Sequence, residues 1–89
     1  MRILIENGTL VSGTGEPAFR GNVIIEGDRI AAVRAGESAI SDKSGFDQIV
    51  DATGALVTPG FIDAHSHSDA ALLAAPDAFS KRTQGITTE

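Results

Sequence analysis

The chain has 89 residues, 42% hydrophobic and 21% charged, with 7 basic against 12 acidic side chains and a formal net charge of −5 at pH 7. A length this far below that of a usual domain allows only a small core, and the acidic balance argues against nucleic acid or an anionic membrane as a partner, since both require a basic face. Cysteine is absent, which excludes disulfides and thiolate metal ligands within these residues and fits a reducing compartment, the cytoplasm.

At the N-terminus, Ile3-Leu4-Ile5 is too short an apolar run for a signal peptide and reads as a strand. Asn7-Gly8 reads as a hairpin turn and Thr9-Leu10-Val11 as the returning strand. Ser12 to Pro17 is a turn-rich loop, and its Gly13-Thr14-Gly15 lacks the spacing and the following helix of a phosphate loop. Asn22 to Glu26 and Arg29 to Val33 flank Gly27-Asp28 as a second hairpin. From Arg34 to Asp47 the apolar pattern lapses into a polar connection. Strand signals resume at Gln48-Ile49-Val50-Asp51 and at Ala55-Leu56-Val57, separated by Thr53-Gly54. Residues 1–58 thus read as a small antiparallel β unit of short strands. No stretch approaches the roughly 20 apolar residues of a membrane span.

The next stretch, Thr58-Pro59-Gly60-Phe61-Ile62-Asp63-Ala64-His65-Ser66-His67-Ser68-Asp69, holds both histidines. Read as one extended strand from Phe61 to Asp69, it places Asp63, His65, His67 and Asp69 on one face. Two imidazoles two residues apart then point the same way and can grip a single divalent ion, with Asp63 and Asp69 as further oxygen ligands or as acceptors that hold the imidazoles. A lone His-x-His is otherwise a weak signal, and satisfied surface or core histidines are the ordinary alternative. Pro76-Asp77 then reads as a helix start, Ala78 to Gln84 as a short helix closed by Gly85, and Ile86-Thr87-Thr88 as a strand. Strand, helix, strand is the opening of a βαβ unit, which is stable only when further strands and helices cover both faces. The chain is therefore expected to be cut off within a larger parallel α/β structure. A catalytic zinc takes three protein ligands, and the two histidines supply part of such a site.

Val57-Thr58-Pro59-Gly60-Phe61-Ile62-Asp63-Ala64-His65-Ser66-His67, led in by Asp51-Ala52-Thr53-Gly54, resembles the first-strand signature of the amidohydrolase superfamily. Val23 to Val33 resembles the hairpin of that superfamily's small β-sandwich. Gly13 to Val23, and His67-Ser68-Asp69 followed by Leu72-Leu73, Pro76-Asp77 and Gln84 to Glu89, resemble the N-acyl-D-amino-acid deacylase (D-aminoacylase) branch.

The resemblance implies a mainly β chain. Residues 1–58 would be the N-terminal part of the β-sandwich, and residues 59–89 the start of a truncated (β/α)8 TIM barrel. It implies a metal-dependent hydrolase, zinc-dependent with one or two divalent ions, that cleaves the amide bond of N-acyl-D-amino acids. His65 and His67 would be metal ligands at the end of the first barrel strand, with Asp63 and Asp69 as their supports and no catalytic residue within these 89. The branch's cysteine ligand, two later histidines and general-base aspartate have no counterpart here, so the chain alone is expected to be inactive. The zinc of the intact enzyme would bring the pKa of its water down to about 7 and polarise the amide carbonyl. The expected partners are the small N-acyl amino acid, the remainder of its own chain and, through exposed strand edges, a second copy; no nucleic acid and no membrane are expected. Two alternatives stay open: a relative of the dihydroorotases, hydantoinases or isoaspartyl dipeptidases, and a non-catalytic β module whose His-x-His is incidental.

Overall fold

Apolar and β-branched residues flank Asn7-Gly8 on both sides, and the chain stays extended through that dipeptide instead of turning on it. The computed structural model describes residues 1–36, 40, 42–65, 72 and 74–88, in two compact units, Met1–Pro59 and Gly60–Glu89. The first unit is a five-stranded sheet of β1 (Arg2–Leu10), β2 (Phe19–Glu26), β3 (Arg29–Ala35), β4 (Gln48–Asp51) and β5 (Leu56–Val57), in the order β3-β2-β1-β4 with β5 also on β1.

The expected hairpin at Asn7-Gly8 is therefore replaced by a single strand of nine residues. Its partner is β2, antiparallel, with Ile5 opposite Val23 and Gly8 opposite Gly21. Glu6 and Asn7 thus face the one residue Asn22, which makes a β-bulge. Asn7 takes φ +62°, and its N–H donates to the Asn22 side-chain oxygen at 3.1 Å. The left-handed preference that marks Asn-Gly as a turn serves the bulge equally well. The β2–β3 hairpin forms as expected, with Glu26 paired to Arg29. Gly27 has φ +61°, whereas Asp28 has an ordinary negative φ, which suits a turn with glycine in the first central position.

The free edge of β1 is filled by two pieces in succession, and both run parallel to it, so the unit is mixed rather than wholly antiparallel. Ile3 to Glu6 pair with Gln48 to Asp51, and Thr9-Leu10 with Leu56-Val57. Between them the chain turns at Ala52–Ala55, where the Ala55 N–H donates to the Ala52 carbonyl at 2.9 Å and Gly54 takes φ +78°. The Asp51 carboxylate holds this turn, accepting the Thr53 N–H at 3.1 Å and the Thr53 hydroxyl at 2.6 Å. Gly8 lets β5 approach, since a Cβ there would lie 2.6 Å from Val57 Cγ2.

Pairing decides the faces. Leu4 lies opposite Ile24, and both are buried; fully burying a leucine contributes about 1.5–3 kcal/mol. On that face the described part of the polar connection packs down. Lys43 forms an ion pair with the buried Glu6 at 2.9 Å, and Phe46 lies under the Arg2 guanidinium at 4.7 Å. The opposite face, carrying Ile5, Val23, Ile25, Ile30, Val33 and Val57, lines an open apolar hollow of about 240 Å³. Ile30 and Val33 on it remain 69% and 54% exposed.

In the second unit, β6 (Phe61–Ile62) pairs in parallel with β7 (Ile86–Thr88), with the helix α1 (Phe79–Arg82) between them in sequence. The strand, helix, strand order is as expected, and two details differ. β6 ends at Ile62, so the extended stretch expected through Asp69 does not reach His65. The helix begins later than Pro76-Asp77, because Ala78 takes φ +46° and Asp77 pairs with the Arg82 guanidinium at 2.9 Å instead of capping. No helix among the described residues is long and apolar enough to cross a membrane.

The hydrogen bonds from Thr53 hold the Asp51 carboxyl below the usual value of 3.8. A carboxyl lowered on folding stabilises the fold above that value and loses this contribution as the pH falls below 3.8 through its folded-state pKa. Denaturant titrations of the wild type and Asp51→Asn are expected to differ at neutral pH and to converge below pH 3.8. A gap independent of pH would contradict this role.

Candidate metal centre

The site is built where β6 stops. Phe61 donates its N–H to the Gly85 carbonyl and Asp63 donates its N–H to the Thr88 carbonyl, both at 2.8 Å. These bonds bracket β6 and lay it along β7. Gly85 takes φ +85° as the chain leaves α1, a backbone that glycine adopts without strain. Gly60 serves differently: a Cβ there would run into the Thr87 side chain, so the glycine allows the two strands their close approach.

Beyond Ile62 the Asp63 side chain takes over. Its Oδ2 accepts the Lys81 ammonium at 2.7 Å, with the two side chains 24% and 28% exposed. Its Oδ1 accepts the backbone N–H of His65 at 3.3 Å. A carboxylate bonding the N–H two residues on favours a local turn over an extended chain, which is why the strand ends before His65. The Lys81 hydrogen bond, followed by that of His65, holds the Asp63 carboxyl below its usual value, so it is ionised at neutral pH.

His65 is exposed, in a bend after the strand. His67 and Asp69 lie outside the described residues. Of the expected constellation, then, the described residues bring together Asp63 and His65, and the bond between them goes to the backbone N–H of His65. Among the described residues no group of three or more His, Cys, Asp or Glu side chains gathers to hold a metal ion. What is present fits one arm of such a site: an exposed histidine, a residue type suited to zinc, on a backbone held from behind. Lys81 was not legible from the sequence, where it reads as a basic residue in the last turn of a helix. It lies 18 residues from Asp63, and only the parallel crossover brings the two together.

The amidohydrolase family model matches residues 48–89. The chain is 41% identical over 86 residues to a D-aminoacylase of Alcaligenes xylosoxydans xylosoxydans, a match covering 97% of this chain and 17% of the relative. Among solved structures, a D-aminoacylase studied for the role of its binuclear metal centre superposes with a TM-score of 0.79 at 39% identity, covering 96% of this chain and 17% of that one. The N-acyl-D-glutamate deacylase from Bordetella bronchiseptica, complexed with zinc and a phosphonate inhibitor, superposes with a TM-score of 0.76 at 35% identity, again over 96% and 17%.

Gly60→Ala is expected to push β6 away from β7. Amide hydrogen exchange should then show the Phe61 and Asp63 N–H groups losing protection, and unchanged protection at both would contradict the close approach inferred here.

Proposed function

The chain belongs to the amidohydrolase family, and we propose that the protein carrying it is a metal-dependent hydrolase of the amide bond of N-acyl-D-amino acids. The observation that carries this reading is the extent of the likeness. It runs over 96% of the chain in the solved deacylase structures, and the family model matches residues 48–89, the part of the sequence that holds both histidines. The chain spans 17% of the length of the D-aminoacylase relative, so activity is assigned to the protein that carries the chain and not to these residues alone.

In this reading residues 1–58 belong to a small β-sandwich and residues 59–89 open a (β/α)8 barrel. His65 and His67 supply imidazole nitrogens to zinc, and Asp63 and Asp69 support them. When bound, the ion supplies Lewis acidity toward the amide carbonyl and water. The chain's own residues provide the platform. β7 holds Asp63 through its backbone, α1 holds the Asp63 carboxylate through Lys81, and the carboxylate holds the backbone of His65. Barrel enzymes keep their chemistry at the carboxyl ends of the strands, and His65 lies just past the carboxyl end of β6. The apolar hollow of the first unit leaves Ile30 and Val33 uncovered, and in this reading it is surface that the remainder of the protein's own chain would cover.

The protein carrying this chain is expected to hydrolyse N-acetyl-D-amino acids faster than their L enantiomers, to lose activity on chelation and to regain it with zinc. Removing a partner that merely supports a metal ligand costs 10–100-fold, so His65→Ala is expected to lower kcat/KM by at least about a hundredfold. Turnover that survives both chelation and His65→Ala would overturn the reading.

A further inference from the structure

Three bonds converge on the residue that follows β6. The Asp63 N–H is tied to β7 at the Thr88 carbonyl (2.8 Å), its Oδ2 to the Lys81 ammonium on α1 (2.7 Å), and its Oδ1 to the backbone N–H of His65 (3.3 Å). The last of these is the long one and sits at the edge of hydrogen-bond geometry. An aspartate held only by such a bond swings readily toward solvent. The charge-assisted bond to Lys81 is short, and the pair is three-quarters shielded from solvent, where an ion pair is screened less than at an open surface.

Lys81 is itself anchored. α1 is followed by a turn in which the Gln84 N–H donates to the Lys81 carbonyl at 3.0 Å, and this turn leads into Gly85, whose carbonyl accepts the Phe61 N–H at 2.8 Å. The ammonium is thus carried by an element that is already stitched to the start of β6, and it reaches back to the residue just past its end.

We propose that Lys81 is a positioning residue for His65: its ammonium fixes the Asp63 carboxylate, and the carboxylate fixes the backbone from which the imidazole projects. This rests on the reading of His65 as a metal ligand. A purely structural pair would tie α1 to β6 and leave His65 indifferent to the loss of the ammonium. A positioning pair transmits that loss to the His65 amide and to any ion the imidazole holds.

The test uses the protein carrying this chain, titrated with cobalt(II) and read by ligand-field absorption, together with amide hydrogen exchange at His65. Lys81→Met is expected to weaken cobalt binding roughly tenfold, in the range for lost supporting partners, to alter the ligand-field bands and to speed exchange of the His65 amide. Lys81→Arg is expected to restore all three. Should Lys81→Met fail to fold, Asp63→Asn interrogates the same brace from its other end while keeping the shape of the side chain, and the same changes are expected. Cobalt affinity, bands and His65 exchange all unchanged in a folded variant would overturn the proposal. His65→Ala separates the two readings: cobalt bound as tightly as by the wild type would remove His65 from the metal site, and the exchange result would then decide the brace alone.

Discussion

The parallel pairing of Phe61-Ile62 with Ile86–Thr88 is the constraint on which the candidate site depends. Parallel neighbours cannot be joined by a tight turn, so the chain between them must travel away and return, and α1 lies on the return. That path brings Lys81 within 2.7 Å of the Asp63 carboxylate. It also places the end of β6 where the Thr88 carbonyl can receive the Asp63 N–H. Without the pairing, Asp63 would be a solvated carboxylate and His65 one imidazole on a flexible turn. With it, the residue two before His65 is held by a strand, a helix and its own turn.

The first unit shows a comparable economy around β1, which makes ladder bonds along both edges. One edge meets β2, and the other meets β4 and then β5. The bulge at Asn7 falls between the two parallel segments, beside the Asp51 turn that carries the chain from one to the next. The Asn7 side-chain amide also reaches the Asp51 carboxylate, at 3.4 Å. Asp51-Ala52-Thr53-Gly54, which draws notice as a family lead-in, thus has a local physical role: an acceptor for two donors of Thr53 and a glycine for the positive φ of the turn.

What could be read from the sequence follows the range of the interactions. The β2–β3 hairpin was legible because Gly27-Asp28 and its flanking strands are adjacent, and so was the order strand, helix, glycine, strand from Phe61 to Thr88. Asn7-Gly8 misled because a left-handed residue suits a bulge as well as a turn, and the choice was made by β2 and by the parallel strands, more than ten residues away. The direction of β4 and β5 was hidden for the same reason, since period-two patterning does not reveal whether a partner runs parallel. The strand through the histidines was over-extended because alternation counts faces and does not register that Asp63 bonds the N–H of His65. Asp63 and His65 were legible as a pair; the part played by Lys81 was not.

In the proposed reading, the imidazole of His65, projecting from a backbone braced by Asp63, is a ligand of the metal on which hydrolysis by the protein carrying this chain depends. Anomalous diffraction at the zinc edge from crystals of the zinc-loaded protein carrying this chain tests it most directly. The expected map places zinc about 2.0–2.1 Å from a His65 ring nitrogen, as zinc–histidine bonds require. Zinc held in the active protein with the His65 imidazole well beyond bonding distance would contradict it.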